Sequence, residues 1–278
     1  MKDCREEWYD KDAKVAVTIV DVTSAAQELA RGHLAGPTST HFLTEALATV
    51  ALLGAETSEK DETVILQMKC KGPLGGLNVE CTAEGTLRGY AEKKVLDDFD
   101  GLGKPDARKV IGEAQYQVTR SVPGRILSQG ISASVDGYLA GSLQRKACIR
   151  TEVAVSDEVE VLEARGILAE VLPDSKIGSL GSIGSVESIG SNDPLLTLLD
   201  PKHPVKLSVA SRSVLKQLGL ENAELRKTTP LKFACRCSPD RAIAMLAALG
   251  EEERRALPPT IDITCHMCGR TFTVKTKE

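Results

Sequence analysis

The sequence predicts an α+β fold: an N-terminal core of mostly antiparallel sheet packed with helices, a flexible linker, and a small C-terminal module. Three observations predict it. Alternating apolar runs separated by helix-like periodicity fill residues 14–172. A glycine- and serine-rich triplet series follows, and four of the eight cysteines then fall in two close pairs near the C-terminus. The boundaries read as 1–173 for the core domain, 174–230 for a metastable linker region and 231–278 for the terminal domain.

In chain order, Val15, Val17 and Ile19 alternate as in a strand, and Ser24 with Gln27 makes a capping-box signature for a short helix. Phe42, Leu43, Ala46, Leu47, Val50 and Leu53 recur at three and four residues, with Gly54 as a stop, so a second helix packs one apolar face on a sheet. Val64, Leu66, Met68 and Cys70 share one strand face. Gly72-Pro73-Leu74-Gly75-Gly76 makes the turn, and Leu77, Val79 and Cys81 share a face of the return strand. Further strand-like runs cover residues 116–119, 147–155 and 165–172, with a helical stretch at 135–144.

The composition then shifts. Ile177-Gly178-Ser179, Leu180-Gly181-Ser182, Ile183-Gly184-Ser185 and Ile189-Gly190-Ser191 repeat as triplets, which forgo helix propensity and read as a spacer. From Asp193 to Thr229, apolar fragments such as Leu195-Leu196-Thr197-Leu198-Leu199 and Val214-Leu215-Lys216-Gln217-Leu218 are broken by Pro194, Pro201, Pro204 and Gly219. Such a segment has apolar surface to hide and poor local propensity, so it folds by leaning on a neighbour.

Bulk properties narrow the function. Of 278 residues, 42% are hydrophobic and 27% charged, as in a soluble globular protein. A net charge of −4 and 3% aromatic content argue against a nucleic-acid partner. Charges in Met1–Glu7 stand where a secretory signal would be apolar, and no apolar run nears the ~18 residues that span a bilayer. The expectation is a cytoplasmic protein with no membrane partner, or one in an organelle interior if a transit peptide has been removed. In a reducing compartment, eight cysteines point to metal or redox chemistry rather than structural disulfides.

That chemistry lies at Phe233-Ala234-Cys235-Arg236-Cys237-Ser238-Pro239 and at Cys265-His266-Met267-Cys268-Gly269-Arg270. Zinc takes four thiolates at tetrahedral corners about 2.3 Å away, and two cysteine pairs supply them cheaply in conformational terms. Cys235, Cys237, Cys265 and Cys268 are therefore the expected ligands of one zinc ion, making this a small zinc-binding domain. Ser238 and Pro239 cap a helix with Ile243, Leu246, Ala247 and Leu249 on its apolar side. Ile261, Ile263, Phe272 and Val274 alternate around a hairpin tip, where Gly269 can take positive φ. So few large apolar groups need the metal to fold, worth on the order of 10–16 kcal/mol in comparable peptides. An inert structural ribbon and an oxidant-responsive site both fit this donor set; the CxC pair and the long spacing, residues 238–264, favour the second. Lys232, Arg236, Arg241 and Arg270 stand near enough in sequence to offset the charge of a zinc–thiolate centre or to be plain surface charges.

These residues resemble the redox-regulated holdase chaperones of the 33-kilodalton heat-shock protein family. The resemblance is specific in residues 231–241 and 261–270, and weaker in Lys71-Gly72-Pro73-Leu74, Arg88-Gly89-Tyr90-Ala91 and residues 166–173. It implies an ATP-independent chaperone rather than an enzyme, inactive when reduced and zinc-bound. It implies further that oxidation forms Cys235–Cys237 and Cys265–Cys268 disulfides and releases zinc. The linker then unfolds, and a homodimer binds unfolding or oxidatively damaged client proteins. The triplet tract departs from the family pattern by being less helical.

Rival classes are weaker. A nucleic-acid-binding zinc protein conflicts with the acidic balance, and a thioredoxin-like oxidoreductase needs its CxxC at a helix start after a strand. Hydrolase and nucleotide-binding motifs are missing, and residues 101–105 read as a turn. His266 reads as a spacer pointing outward, and His33, His41 and His203 as surface or helix-end residues. Cys70 and Cys81 read as core residues, Cys148 as partly exposed, and Cys4 as part of a frayed terminus.

Overall fold

The structure is a computed structural model describing residues 3–173 and 193–276; the triplet series lies outside the described residues. Two sheets enclose one long helix. The first has strand order β10-β1-β2-β9-β8, built from β1 (Cys4–Asp10), β2 (Val15–Asp21), β8 (Lys146–Val155), β9 (Val161–Val171) and β10 (Glu224–Pro230), all antiparallel. The second runs β11-β5-β4-β3-β6-β7, from β3 (Thr63–Cys70), β4 (Gly76–Thr82), β5 (Thr86–Ala91), β6 (Ala114–Val122), β7 (Arg125–Ser132) and β11 (Lys232–Phe233). Only β11 joins it in parallel. This is the expected α+β class with mostly antiparallel pairing.

The predicted hairpin forms as read, pairing Val64 with Cys81, Leu66 with Val79 and Met68 with Leu77, and all six are buried. The long helix α2 (Pro37–Leu53) differs from its prediction. It starts earlier and is buried on nearly all sides, because β2, β8 and β9 pack on it from one sheet and β3, β4 and β5 from the other. A helix sandwiched between two sheets has no wet face to show in its periodicity. His41, read as a surface or helix-end residue, is therefore buried within α2, edge-on against Phe42. The α-helix does end at Leu53 with Gly54 as its cap, as read, although Gly54 has φ −62° and the chain continues into a 3₁₀ turn. Glycine is needed for space, since a Cβ there would lie 2.5 Å from Nη1 of the fully buried Arg5 and 2.7 Å from Sγ of Cys81.

The expected capping box of the first helix, α1 (Thr23–His33), is replaced by a long-range cap. The Asp3 carboxylate accepts the amides of Ser24 and Ala25 at 3.0 and 2.6 Å, while Gln27 bonds to Val159 and Val161. Asp3 reaches that position because β1 is a full strand, with Cys4 opposite both Asp21 and Pro230. The terminus is paired rather than frayed. The predicted helix at 135–144 reduces to α4 (Val135–Gly137) and a π-turn at Tyr138–Ser142, and a further single turn, α3, spans Ala107–Val110.

The outer face of the first sheet carries Trp8, Val15, Val17, Ile19, Cys148, Ile167, Ala169 and Val171. Over it lie α5 (Pro194–Leu199) and α6 (Ser211–Gln217), which press Leu195, Leu198, Val214 and Leu215 onto that face, joined by Leu207, Leu218 and Leu220 from the adjoining loops. The segment does lean on a neighbour, as its composition predicted. It also corrects the placement of Cys148, which is 4% exposed beneath this cover, its thiol pushed up to about 12 by burial. Just before β3, Glu62 is fully buried and accepts from Ser58, Glu59 and Arg120 at 2.8, 3.2 and 2.6 Å. Among the described residues no helix is long and apolar enough to cross a membrane.

Candidate metal centre

One residue separates the last strand of the first sheet from β11, the strand that leads into the site. After β10 ends at Pro230, Leu231 is buried with its amide on Asp3 O, and β11 then runs beside β5. Lys232 donates to Gly85 O at 3.1 Å and Ala234 to Leu87 O at 3.0 Å, which fixes where Cys235 and Cys237 emerge. Next come α7 (Pro239–Ala247), capped by Ser238 accepting from the Arg241 amide, and α8 (Glu251–Ala256). The hairpin of β12 (Thr260–Thr264) and β13 (Thr271–Lys275) pairs Ile261 with Val274 and Ile263 with Phe272, placing Cys265 and Cys268 at its tip as predicted. At that tip Gly269 has φ +71° and donates to Cys265 O at 2.9 Å.

The helix differs from its prediction in what it buries. Ile243 is 50% and Leu249 37% exposed, and only Ala242 is buried. With so little apolar burial, a module of this size has no sufficient core of its own.

The four predicted sulfurs converge. Those of Cys235, Cys237, Cys265 and Cys268 all lie within 4.8 Å of one another, with Cys235–Cys265 at 3.7 Å and Cys237–Cys268 at 3.4 Å. A tetrahedral metal with sulfurs about 2.3 Å away requires sulfur–sulfur edges of about 3.8 Å. These cysteines are thus positioned to hold one metal ion. Burial opposes ionisation of Cys235, but the Cys237 amide and the Arg88 guanidinium bring it down to about 7. Burial first, and neighbouring sulfurs, push the Cys237 thiol up, and burial also raises Cys268. The crowded sulfurs thus divide negative charge unequally, and a divalent cation among them would favour the thiolate form of all four.

Several contacts were not legible from the cysteine spacing. Arg88 of β5 places Nη1 3.8 Å from Cys235 Sγ and is anchored on Glu80, whose carboxylate also lies 3.7 Å from Arg236. Gly89 donates to Met267 O at 3.2 Å, and the buried His33 ring donates from Nε2 to Gly89 O at 2.8 Å. His33 is the helix-end residue of α1 and not a surface one, and burial holds it below the ordinary imidazole range. Gly32, at the end of α1, sits so near that a Cβ would lie 2.5 Å from Cys268 O. The one signal available for this second set was the short block Arg88-Gly89-Tyr90-Ala91. His266 is exposed, as expected, with its ring 5.3 Å from Tyr90.

Comparison with known proteins agrees with this geometry. The family model described as Hsp33 protein matches residues 7–275. A curated 33 kDa chaperonin of Thermus thermophilus is 30% identical, the match covering 94% of this chain and 81% of the relative. One from Staphylococcus carnosus is 25% identical over 95% and 91%. The crystal structure of a 33 kDa chaperonin, a heat shock protein 33 homolog from Thermotoga maritima, superposes with a TM-score of 0.82 at 20% identity. It covers 99% of this chain and 96% of that one, and so shares the fold.

Proposed function

Since the chain belongs to the Hsp33 family, a family of chaperones and not of enzymes, we propose that it is a redox-regulated, ATP-independent holdase. In this proposal Cys235, Cys237, Cys265 and Cys268 bind one zinc ion while reduced, and the protein is then inactive. Oxidation joins Cys235 to Cys237 and Cys265 to Cys268 and frees the zinc. Residues 231–278 then unfold together with the 174–230 linker, leaving the 1–173 core. The oxidised form is a homodimer in the cytoplasm that binds unfolding or oxidatively damaged proteins.

The convergence of four sulfurs within 4.8 Å carries the proposal. An all-sulfur tetrahedral set suits zinc, which brings no redox chemistry of its own and holds the thiols as thiolates, the form that oxidants attack. The sulfurs are spread around a metal-sized gap, 3.7 and 3.4 Å apart across the two pairs, whereas a disulfide closes to about 2.05 Å. Disulfides within each pair therefore require both loops to rearrange, consistent with coupling between oxidation and unfolding. What that unfolding would uncover is the apolar outer face of the first sheet, from Trp8 to Val171, now under α5 and α6.

Zinc content and suppression of client aggregation, each measured before and after hypochlorite or peroxide with mild heat, test the proposal. Loss of one zinc per chain with gain of holding activity is the expected result. Activity indifferent to oxidation and to Cys→Ser changes at the four positions would leave a structural zinc ribbon instead.

A further inference from the structure

The cluster has two unlike flanks. On the β5 side the cations are already engaged, with Arg88 and Arg236 sharing the carboxylate of Glu80. On the opposite side a groove of about 410 Å³ opens between α1 and the cysteine loop, lined by Glu28, Arg31, Gly32, Phe233, Cys268 and Arg270. Arg31 and Arg270 are both exposed, and neither guanidinium has an ion-pair or hydrogen-bond partner among the described residues. Cys268, the one buried member of the four, lies at this groove. A zinc ion with four thiolates carries a formal charge of about −2, which alone repels anions. Arg31 and Arg270 together cancel that charge, and beside the one carboxylate of the lining, the exposed Glu28, they leave a small anion two unpaired cations to meet in the groove.

We infer that this groove is where the oxidant enters, and that Arg31 and Arg270 favour small oxidants bearing an anionic group, such as a sulfonate or carboxylate. The inference rests on the switch proposed above. With an N-chloramine as oxidant the step balances. The Cys268 thiolate takes the chlorine from nitrogen as a sulfenyl chloride, and the amine leaves after gaining a proton. The Cys265 thiolate then attacks that sulfur and expels chloride. Two thiolates lose two electrons, and the chlorine gains them.

N-chlorotaurine and monochloramine deliver the same chlorine and differ in the sulfonate, so their ratio isolates charge. The experiment follows metal release from the reduced, zinc-loaded full chain with a chromogenic chelator. Arg31 is the residue to change, because it lies on α1 and outside the cysteine loop. Arg31→Glu should lower the N-chlorotaurine to monochloramine rate ratio about fivefold, and Arg31→Lys should retain it. The difference should vanish near 1 M salt, where screening acts within about 3 Å. If both oxidants release metal and the ratio is unchanged in Arg31→Glu, the groove assignment falls while the switch stands. If neither releases metal from the unaltered chain, the switch itself falls, and the inference with it.

Discussion

Replacing Gly269 by alanine measures how tightly the cysteine loop is seated on α1. At φ +71°, alanine costs about 1–2 kcal/mol that glycine does not. The added Cβ would also collide with the Gly32 carbonyl oxygen, so the loop must shift away from the helix. The backbone cost alone, referred to metal binding, is about a 5- to 30-fold loss of zinc affinity, and the collision adds to it. Chelator competition on the reduced full-length protein reads that loss directly. Gly32→Ala separates the two causes. It sits in α1, where alanine favours the helix by about 1 kcal/mol, yet its Cβ would lie 2.5 Å from Cys268 O. Both variants should bind zinc more weakly, Gly32→Ala through displacement alone. Unaltered affinity in both would refute the claim that the α1 contact supports the metal centre.

Leu215→Ala, at a position fully buried in α6, should cost about 2–5 kcal/mol and loosen the cover over the first sheet. Reduced protein should then bind an apolar fluorescent dye and hold clients without oxidant; no change in either would contradict the masking role. Burial pushes the thiol of Cys81 up to about 11 and that of Cys148 to about 12, so thiolate is scarce near pH 8 and both should resist alkylation until the chain unfolds. Mass spectrometry of the labelled native protein checks this. Burial works against the charge of Glu62, but its bonds from Arg120, Ser58 and Glu59 win, and its pKa lies below the ordinary value. A lowered pKa stabilises the fold above the usual carboxylate range, and that contribution is lost as pH falls through the folded value. Glu62→Gln should therefore cost about 2 kcal/mol in urea unfolding at neutral pH, with the gap closing in acid; a constant gap would exclude the linkage.

The metal centre was legible because its donors are rare residues in tight local pairs, and so was the β3–β4 hairpin, with its period of two and its glycine turn. The length of α2 was less so, since burial between two sheets erases the polar face that marks a helix. Nothing in Glu224-Leu225-Arg226-Lys227-Thr228-Thr229-Pro230 signals a strand; β10 exists because β1 offers it an edge. Asp3, His33, Gly32 and Arg88 act through neighbours far along the chain, and local patterns are silent about such partners.

The crossing at Leu231 has a mechanical side. β10 is zipped to β1 from Cys4–Pro230 to Tyr9–Glu224, and its Pro230 end runs through the single residue Leu231 into β11, from which the cysteine loops emerge. A tug from the cysteine module therefore meets the bonds between β11 and β5 first, and loads the β10–β1 ladder at one end once they give. Its rungs part in sequence, Pro230 from Cys4 first, and opening proceeds toward Glu224 at far lower force than shearing the whole strand at once. The connection works as a ripcord with a catch: the β11–β5 pairing holds it, and once that catch opens the single residue Leu231 leaves almost no slack before the first rung feels the pull.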